Sequence, residues 1–140
     1  MTLAIETSCD DTSVAVLEKN DTNGETAAHL HFHKKVTSNN AEFKGVHPLV
    51  SLLSHQESLA NLVSEAMRHL PPKTNSAEDA QLEDGPDAVD ITQKRLPDFV
   101  SVTRGPGMRA NLFTGLDTAK GLAAAWQVGT RPVVTLSTHC

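Results

Sequence analysis

Apolar residues in this chain fall into short blocks separated by clusters of turn formers. Thr2 to Glu6 alternate loosely, with Leu3 and Ile5 on one side, which predicts a strand. Thr7 to Thr12 are polar and predict a turn, and Ser13 to Leu17 form a second apolar run. Together they read as a β-hairpin. Asn20, Asp21, Asn23 and Gly24 mark another turn within Lys19 to Gly24. Ala27 to Val36 follow as a third strand, where Leu30 and Phe32 alternate with His29, His31 and His33.

From residue 47 to residue 70 the period changes to that of a helix. Pro48 suits the first turn, where its missing N–H is not needed. Leu49, Leu52, Leu53, Leu59, Val63, Met67 and Leu70 recur at helical spacing, and Pro71 and Pro72 end the run. Pro71 to Arg95 have little apolar periodicity and are rich in Pro, Asp, Glu, Ser and Asn, which predicts a mobile surface insertion. Phe99 to Thr103 predict a strand, and Ala110 to Trp126 a helix with Leu112, Leu116, Ala119, Ala123 and Trp126 on one face. Val133 to Leu136 predict a last strand. The order β-β-β-α-linker-β-α-β is that of a mixed α/β layer with helices covering a sheet.

The 140 residues, 39% of them hydrophobic, suit one domain with a core of its own. No apolar run approaches the ~18 residues of a membrane helix. The formal net charge is -5, and much of it lies between Glu78 and Asp90. An acidic chain gains little non-specific affinity for nucleic acid, because that affinity comes from cations that displace counterions. Cys9 and Cys140 are far apart in sequence, so a reducing compartment is the default.

Two turns carry candidate chemistry. Glu6 to Thr12 place hydroxyls, carboxylates and turn amides between adjacent strands, and such amides can hold an anion. Bare carboxylates repel phosphate, so an anion site here needs a cation on Asp10 or Asp11, or neighbouring amides. A plain hydrogen-bonded hairpin turn built by Thr7, Ser8, Asp10 and Asp11 accounts for the segment equally well. Cys9 reads as a small buried hydrophobe, since no cation nearby in sequence lowers its pKa.

In the second turn, Gly105-Pro106-Gly107, side chains are missing where strand passes to helix. Backbone amides and the positive helix end can then approach a ligand, with Arg104 and Arg109 flanking. A tight turn with close helix–sheet packing also explains the glycines. Gly105 to Ala110 fit a loose G-x-G-x-x-A, but nothing acidic follows Asp117, so a dinucleotide fingerprint is disfavoured. No Gly-Lys-Ser/Thr closes a P-loop.

Seven histidines invite a metal reading. His29, His31 and His33 would share one face of a strand, where an exposed edge is favoured over a zinc site. His47 reads as a helix-entry residue and His69 as surface. His55 lies away from the leucine stripe and faces either a ligand cleft or solvent. His139 has no nearby His-x-x-x-His partner, and zinc or iron needs several ligands.

Taken together, Ile5 to Thr12, Pro48 with His55, Gly105 to Gly107 and Ala125-Trp126 resemble the tRNA N6-adenosine threonylcarbamoyltransferase family, once described as glycoprotease-like. The wording around Val102 to Arg109 is most similar to its fungal mitochondrial branch. The resemblance implies an actin-like, sugar-kinase-like ATPase fold with an RNase H-like lobe, of which this chain would be the first lobe and an incomplete one. It implies threonylcarbamoyl-AMP and tRNA as partners, with transfer to adenosine 37 of tRNAs reading A-starting codons. It further implies one divalent metal ion, zinc or iron, held outside this stretch, and a homodimer for the full-length mitochondrial form. By carry-over, Thr7, Ser8, Asp10 and Asp11 line the phosphate side, Gly105, Pro106 and Gly107 face the same cleft, and His55 and Arg104 border it.

The chain also departs from the family pattern. Members run to more than twice this length, and their His-Met-x-x-His metal motif is degenerate here: without gaps, Thr135 falls on its first histidine and His139 on its second. The expectation is that residues 129–140 leave the family, that 1–140 form the N-terminal lobe with an acidic insertion at about 71–95, and that this stretch alone is inactive. Localisation is expected to be mitochondrial by resemblance, though no leader is visible, with a cytoplasmic site the alternative. Two rival functions are a regulatory or dimerising fragment of the enzyme and a sugar-kinase-like ATPase. The older peptidase name finds no His-Glu-x-x-His and no nucleophile–base pair in sequence.

Overall fold

A computed structural model describes residues 1–22, 24–73 and 91–134. Five strands form one sheet: β1 (Thr2–Glu6), β2 (Asp11–Thr22), β3 (Glu25–Thr37), β4 (Phe99–Gly105) and β5 (Gly129–Val134). Two helices, α1 (Pro48–Arg68) and α2 (Arg109–Trp126), complete the fold. The strand order is β3-β2-β1-β4-β5. The β1–β2 and β2–β3 pairs are antiparallel, and the β1–β4 and β4–β5 pairs are parallel. This is the mixed α/β layer that the residue pattern predicts.

Period-two alternation decides which face is covered. Leu3, Ile5, Val14, Val16, Val100 and Val102 are buried, and they form one cluster with Leu59, Val63, Ala66 and Met67 of α1 and Ala119 and Ala123 of α2. Both helices therefore lie on that face. The alternate residues Ala4, Ala15 and Ser101 are cross-strand neighbours and line a shallow hollow of about 200 Å³ on the opposite face.

Several expectations are corrected. The hairpin arms are longer than the apolar runs: β2 continues to Thr22 and β3 begins at Glu25, because paired backbones hold polar residues in the ladder. The last strand starts at Gly129, four residues before the expected Val133. In the first half of α1 the leucine stripe is not the buried one. Leu49 and Leu53 are 56% and 47% exposed, while Ser51 and His55 are fully buried. Ser51 can turn inward because its hydroxyl bonds the His47 carbonyl and the Ser38 hydroxyl, each at 3.2 Å.

The histidine row is also broken. A bulge lies between Val16, which pairs with Phe32, and Leu17, which pairs with Leu30, so His31 has no partner in the register. His29 and His31 stay together, their rings 4.3 Å apart, and His31 Nε2 lies 2.9 Å from Glu18. Beyond the bulge His33 pairs with Ala15 and sits on the other face, its Nε2 3.1 Å from the Ser13 hydroxyl. An extra residue in one strand reverses the facing of everything beyond it.

The expected insertion falls largely on residues 74–90, outside the described residues. Its two ends meet: Lys73 N–H donates to the Gln93 carbonyl at 2.9 Å, and Arg95 N–H to the Pro71 carbonyl at 2.8 Å. Arg95 also reaches Glu18 at 2.6 Å, tying the returning chain to the hairpin.

Candidate functional site

Parallel pairing of β1 and β4 sets the site. The two strands end side by side, so the turn after β1 and the loop after β4 emerge at one end of the sheet. In open α/β sheets the carboxyl ends of parallel strands are where ligands bind. Sequence places these turns about a hundred residues apart; topology makes them neighbours.

They touch directly. The Met108 N–H donates to the Ser8 carbonyl at 2.9 Å. A Cβ on Gly107 would lie 2.5 Å from the Ser8 carbonyl oxygen and 2.7 Å from the Ser8 Cβ, so only glycine allows this approach. Glu6 at the end of β1 holds both sides, accepting from the Ser8 N–H and from the Thr103 hydroxyl of β4.

Beneath the first turn runs a buried polar network. The Thr7 hydroxyl donates to the Asn111 carbonyl at 2.8 Å. The Asn111 amide donates to the Cys9 carbonyl at 2.6 Å, and His55 Nε2 lies 3.0 Å from that same oxygen. His55 Nδ1 lies 2.7 Å from the Thr12 hydroxyl. Thr7, Thr12, His55 and Asn111 are each buried. Burial pushes the His55 imidazole below its usual pKa, outweighing the opposite pull of its bond to the Cys9 carbonyl and of the Glu6, Asp10 and Asp11 carboxylates.

The expected site residues therefore separate into two groups. Ser8, Asp10 and Gly105 are half-buried, and Arg104, Pro106 and Gly107 are exposed. Thr7 is spent on Asn111 and shows no free face; it holds the turn rather than lining it. His55 lies under the turn, neither at a cleft surface nor in solvent. Asp11 turns toward β3, 2.7 Å from Lys35 Nζ and accepting from the Thr37 hydroxyl. Burial raises its pKa, but these hydrogen bonds and the Lys35 charge outweigh that and hold the carboxyl below its usual range. Cys9 is half-buried, and its carbonyl accepts from both helices.

Sequence reasoning did not single out Asn111 or Thr12. A signal for Asn111 exists: Asn111, Gly115, Ala119 and Ala123 are the buried residues of α2, one per turn, so an amide sits where an apolar residue belongs. Met108, the N-cap of α2, makes no side-chain cap, which leaves the first-turn amides uncapped by their own helix.

His139 lies outside the described residues. Among the described residues no group of three or more His, Cys, Asp or Glu side chains is placed to hold a metal ion. No helix among them is long and apolar enough to cross a membrane.

Residues 87–140 match the family model described as tRNA N6-adenosine threonylcarbamoyltransferase, a stretch that takes in residues 129–140. The mitochondrial tRNA N6-adenosine threonylcarbamoyltransferase of Schizosaccharomyces pombe is 34% identical over 130 residues, covering 89% of this chain and 26% of that protein. The enzyme of that name from Staphylococcus saprophyticus is 32% identical over 139 residues, covering 98% of this chain and 33% of that protein. The chain thus spans about a quarter to a third of the length of these curated relatives. Among solved structures, YeaZ from Pseudomonas aeruginosa aligns with a TM-score of 0.49 at 20% identity, over 96% of this chain and 45% of that one.

Proposed function

The chain belongs by sequence to the tRNA N6-adenosine threonylcarbamoyltransferase family, and on that premise we propose that its two loops form the phosphate-facing wall of a threonylcarbamoyl-adenylate site. The observation that carries this reading is the meeting of the Ser8 turn and the Gly107 loop at the carboxyl ends of β1 and β4. The N-terminus of α2 adds positive dipole potential at the same place, where an anionic group is stabilised. Asp11, paired with Lys35, contributes less repulsion toward phosphate than a bare carboxylate would.

In the reaction the N6 amine of a tRNA adenosine attacks the carbamoyl carbonyl carbon. The new C–N bond forms, the C–O bond to phosphate breaks, AMP leaves, and the amine gives up a proton. This chain's part is to orient the adenylate phosphate as charge shifts onto the leaving group. The described residues offer no metal-holding cluster, and no step is assigned to a metal. The mitochondrial name of the fission-yeast relative supports a mitochondrial site of action, whereas the bacterial relative supports the reaction alone.

Supplying threonylcarbamoyl-AMP and tRNA to the purified 140-residue chain tests the reading. Binding of the adenylate without transfer is expected, because the chain spans 26% and 33% of the two relatives' lengths. Transfer at an enzymatic rate would overturn the assignment of this chain to one wall only. ATP turnover without tRNA would replace it with a kinase-like reading.

A further inference from the structure

Resting on the reading that the first turn faces the adenylate phosphate, we propose that His55 and Asn111 are positioning residues that aim the Asp10 backbone N–H at that phosphate by holding the Cys9 carbonyl from two helices.

Both helices converge on the Cys9 carbonyl oxygen. It has two lone pairs, and two donors meet it: Asn111 Nδ2 at 2.6 Å from α2 and His55 Nε2 at 3.0 Å from α1. A carbonyl only accepts, so Nε2 carries the proton. Burial disfavours the charged ring, which makes Nδ1 the acceptor and the Thr12 hydroxyl its donor at 2.7 Å. The acidic groups facing this ring are Glu6, Asp10 and Asp11. The hydrogen bonds from the Thr12 hydroxyl through His55 to the Cys9 carbonyl thus run in one direction.

Planarity carries the consequence outward. The Cys9–Asp10 peptide is trans, since the one cis bond among the described residues is Gly105–Pro106. In a trans peptide the C=O and the following N–H point in opposite directions. Two helices draw the Cys9 oxygen inward, so the Asp10 N–H points away from the buried network. Losing either donor frees the peptide plane to rotate and turns that N–H off its line. His55 and Asn111 touch no ligand; they act through the Cys9–Asp10 peptide.

The test uses the isotope-labelled 140-residue chain with AMP as probe. The expected imidazole spectrum shows His55 fixed as the Nε2–H tautomer. In the AMP titration the Asp10 amide should move most among the turn amides. His55→Leu should shift the Ser8 to Asp11 amides and weaken AMP binding roughly tenfold, the effect of losing one buried hydrogen-bond donor. His55→Gln keeps an N–H at the Nε2 position and should bring binding back to within about threefold. An Nδ1–H tautomer, or turn amides and AMP affinity unchanged in His55→Leu, would overturn the proposal. Should His55→Leu not fold, the tautomer and the Gln variant still decide. Absence of AMP-dependent shifts in the unsubstituted chain would instead sink the adenylate reading, while the tautomer and the turn amides still report the clamp.

Discussion

Two glycines in α2 allow one substitution to be tested with opposite expected signs. Alanine is favoured over glycine in a helix interior by about 1 kcal/mol wherever there is room. At Gly121 a new Cβ meets nothing within 4 Å, so Gly121→Ala should stabilise by about that amount. At Gly115 the new Cβ would sit 2.5 Å from the Thr7 hydroxyl and 3.5 Å from Ile5 Cγ2. Ordinary contact needs roughly another 1 Å, and overpacking of this kind costs about 1–3 kcal/mol. Moving Thr7 also breaks its 2.8 Å bond to the Asn111 carbonyl and strands a buried hydroxyl, about 1–3 kcal/mol more. After the helix gain is subtracted, Gly115→Ala should destabilise by about 1–5 kcal/mol. For a chain of this size each kcal/mol shifts the melting temperature by roughly 4 °C. Thermal and urea unfolding of the two variants, run side by side, give the answer. If Gly115→Ala is as stable as Gly121→Ala, α2 does not press on the first turn, and the account of the buried network is wrong.

The remaining predictions concern charge and the loop contact. His55 has its folded pKa below the unfolded 6.5, so the unfolded chain binds more protons as pH falls; its contribution is complete above about pH 6.5 and is lost below it. Stability against pH should therefore slope down on the acid side, and His55→Gln should flatten that slope; an unchanged slope refutes the assignment. Lys35→Met removes the charge and one hydrogen bond that hold Asp11 low, so the Asp11 carboxyl should titrate at higher pH in carbon-detected NMR. Gly107→Ala should open the Met108–Ser8 bond, and the Met108 amide should then exchange with solvent about fivefold faster, as expected for about 1 kcal/mol.

Much of the fold was legible because period two and period 3.6 leave plain marks. Leu3 and Ile5, Val14 and Val16, and the late half of α1 all face where their spacing says. What failed to show was whatever depends on a partner distant in sequence. Leu49 and Leu53 look like core by hydropathy, yet Ser51 and His55 take the inward positions because hydrogen-bond partners wait there. The outer arms of β2 and β3 carry Glu18 to Thr22, polar residues that no alternation marks as strand; pairing with β3 holds them there. His29, His31 and His33 looked like one row, and a single bulge split them. The two turns were readable as candidate chemistry, but their contact through Ser8 and Gly107 follows only from β1 lying beside β4.

That adjacency has a consequence for the order in which the chain acquires its parts. The hairpins of β1, β2 and β3 close short loops and can form early. The bonds that shape the first turn cannot: Thr7 meets Asn111 across 104 residues, and Cys9 meets Asn111 across 102. Such contacts are reached only after the intervening chain has been confined, which slows their formation. During synthesis the Thr7–Asp11 segment is made before α2 and waits for it before its bonds to that helix can close. The site is thus a late product of folding, and a nascent chain interrupted before Asn111 carries a hairpin whose turn has not been set.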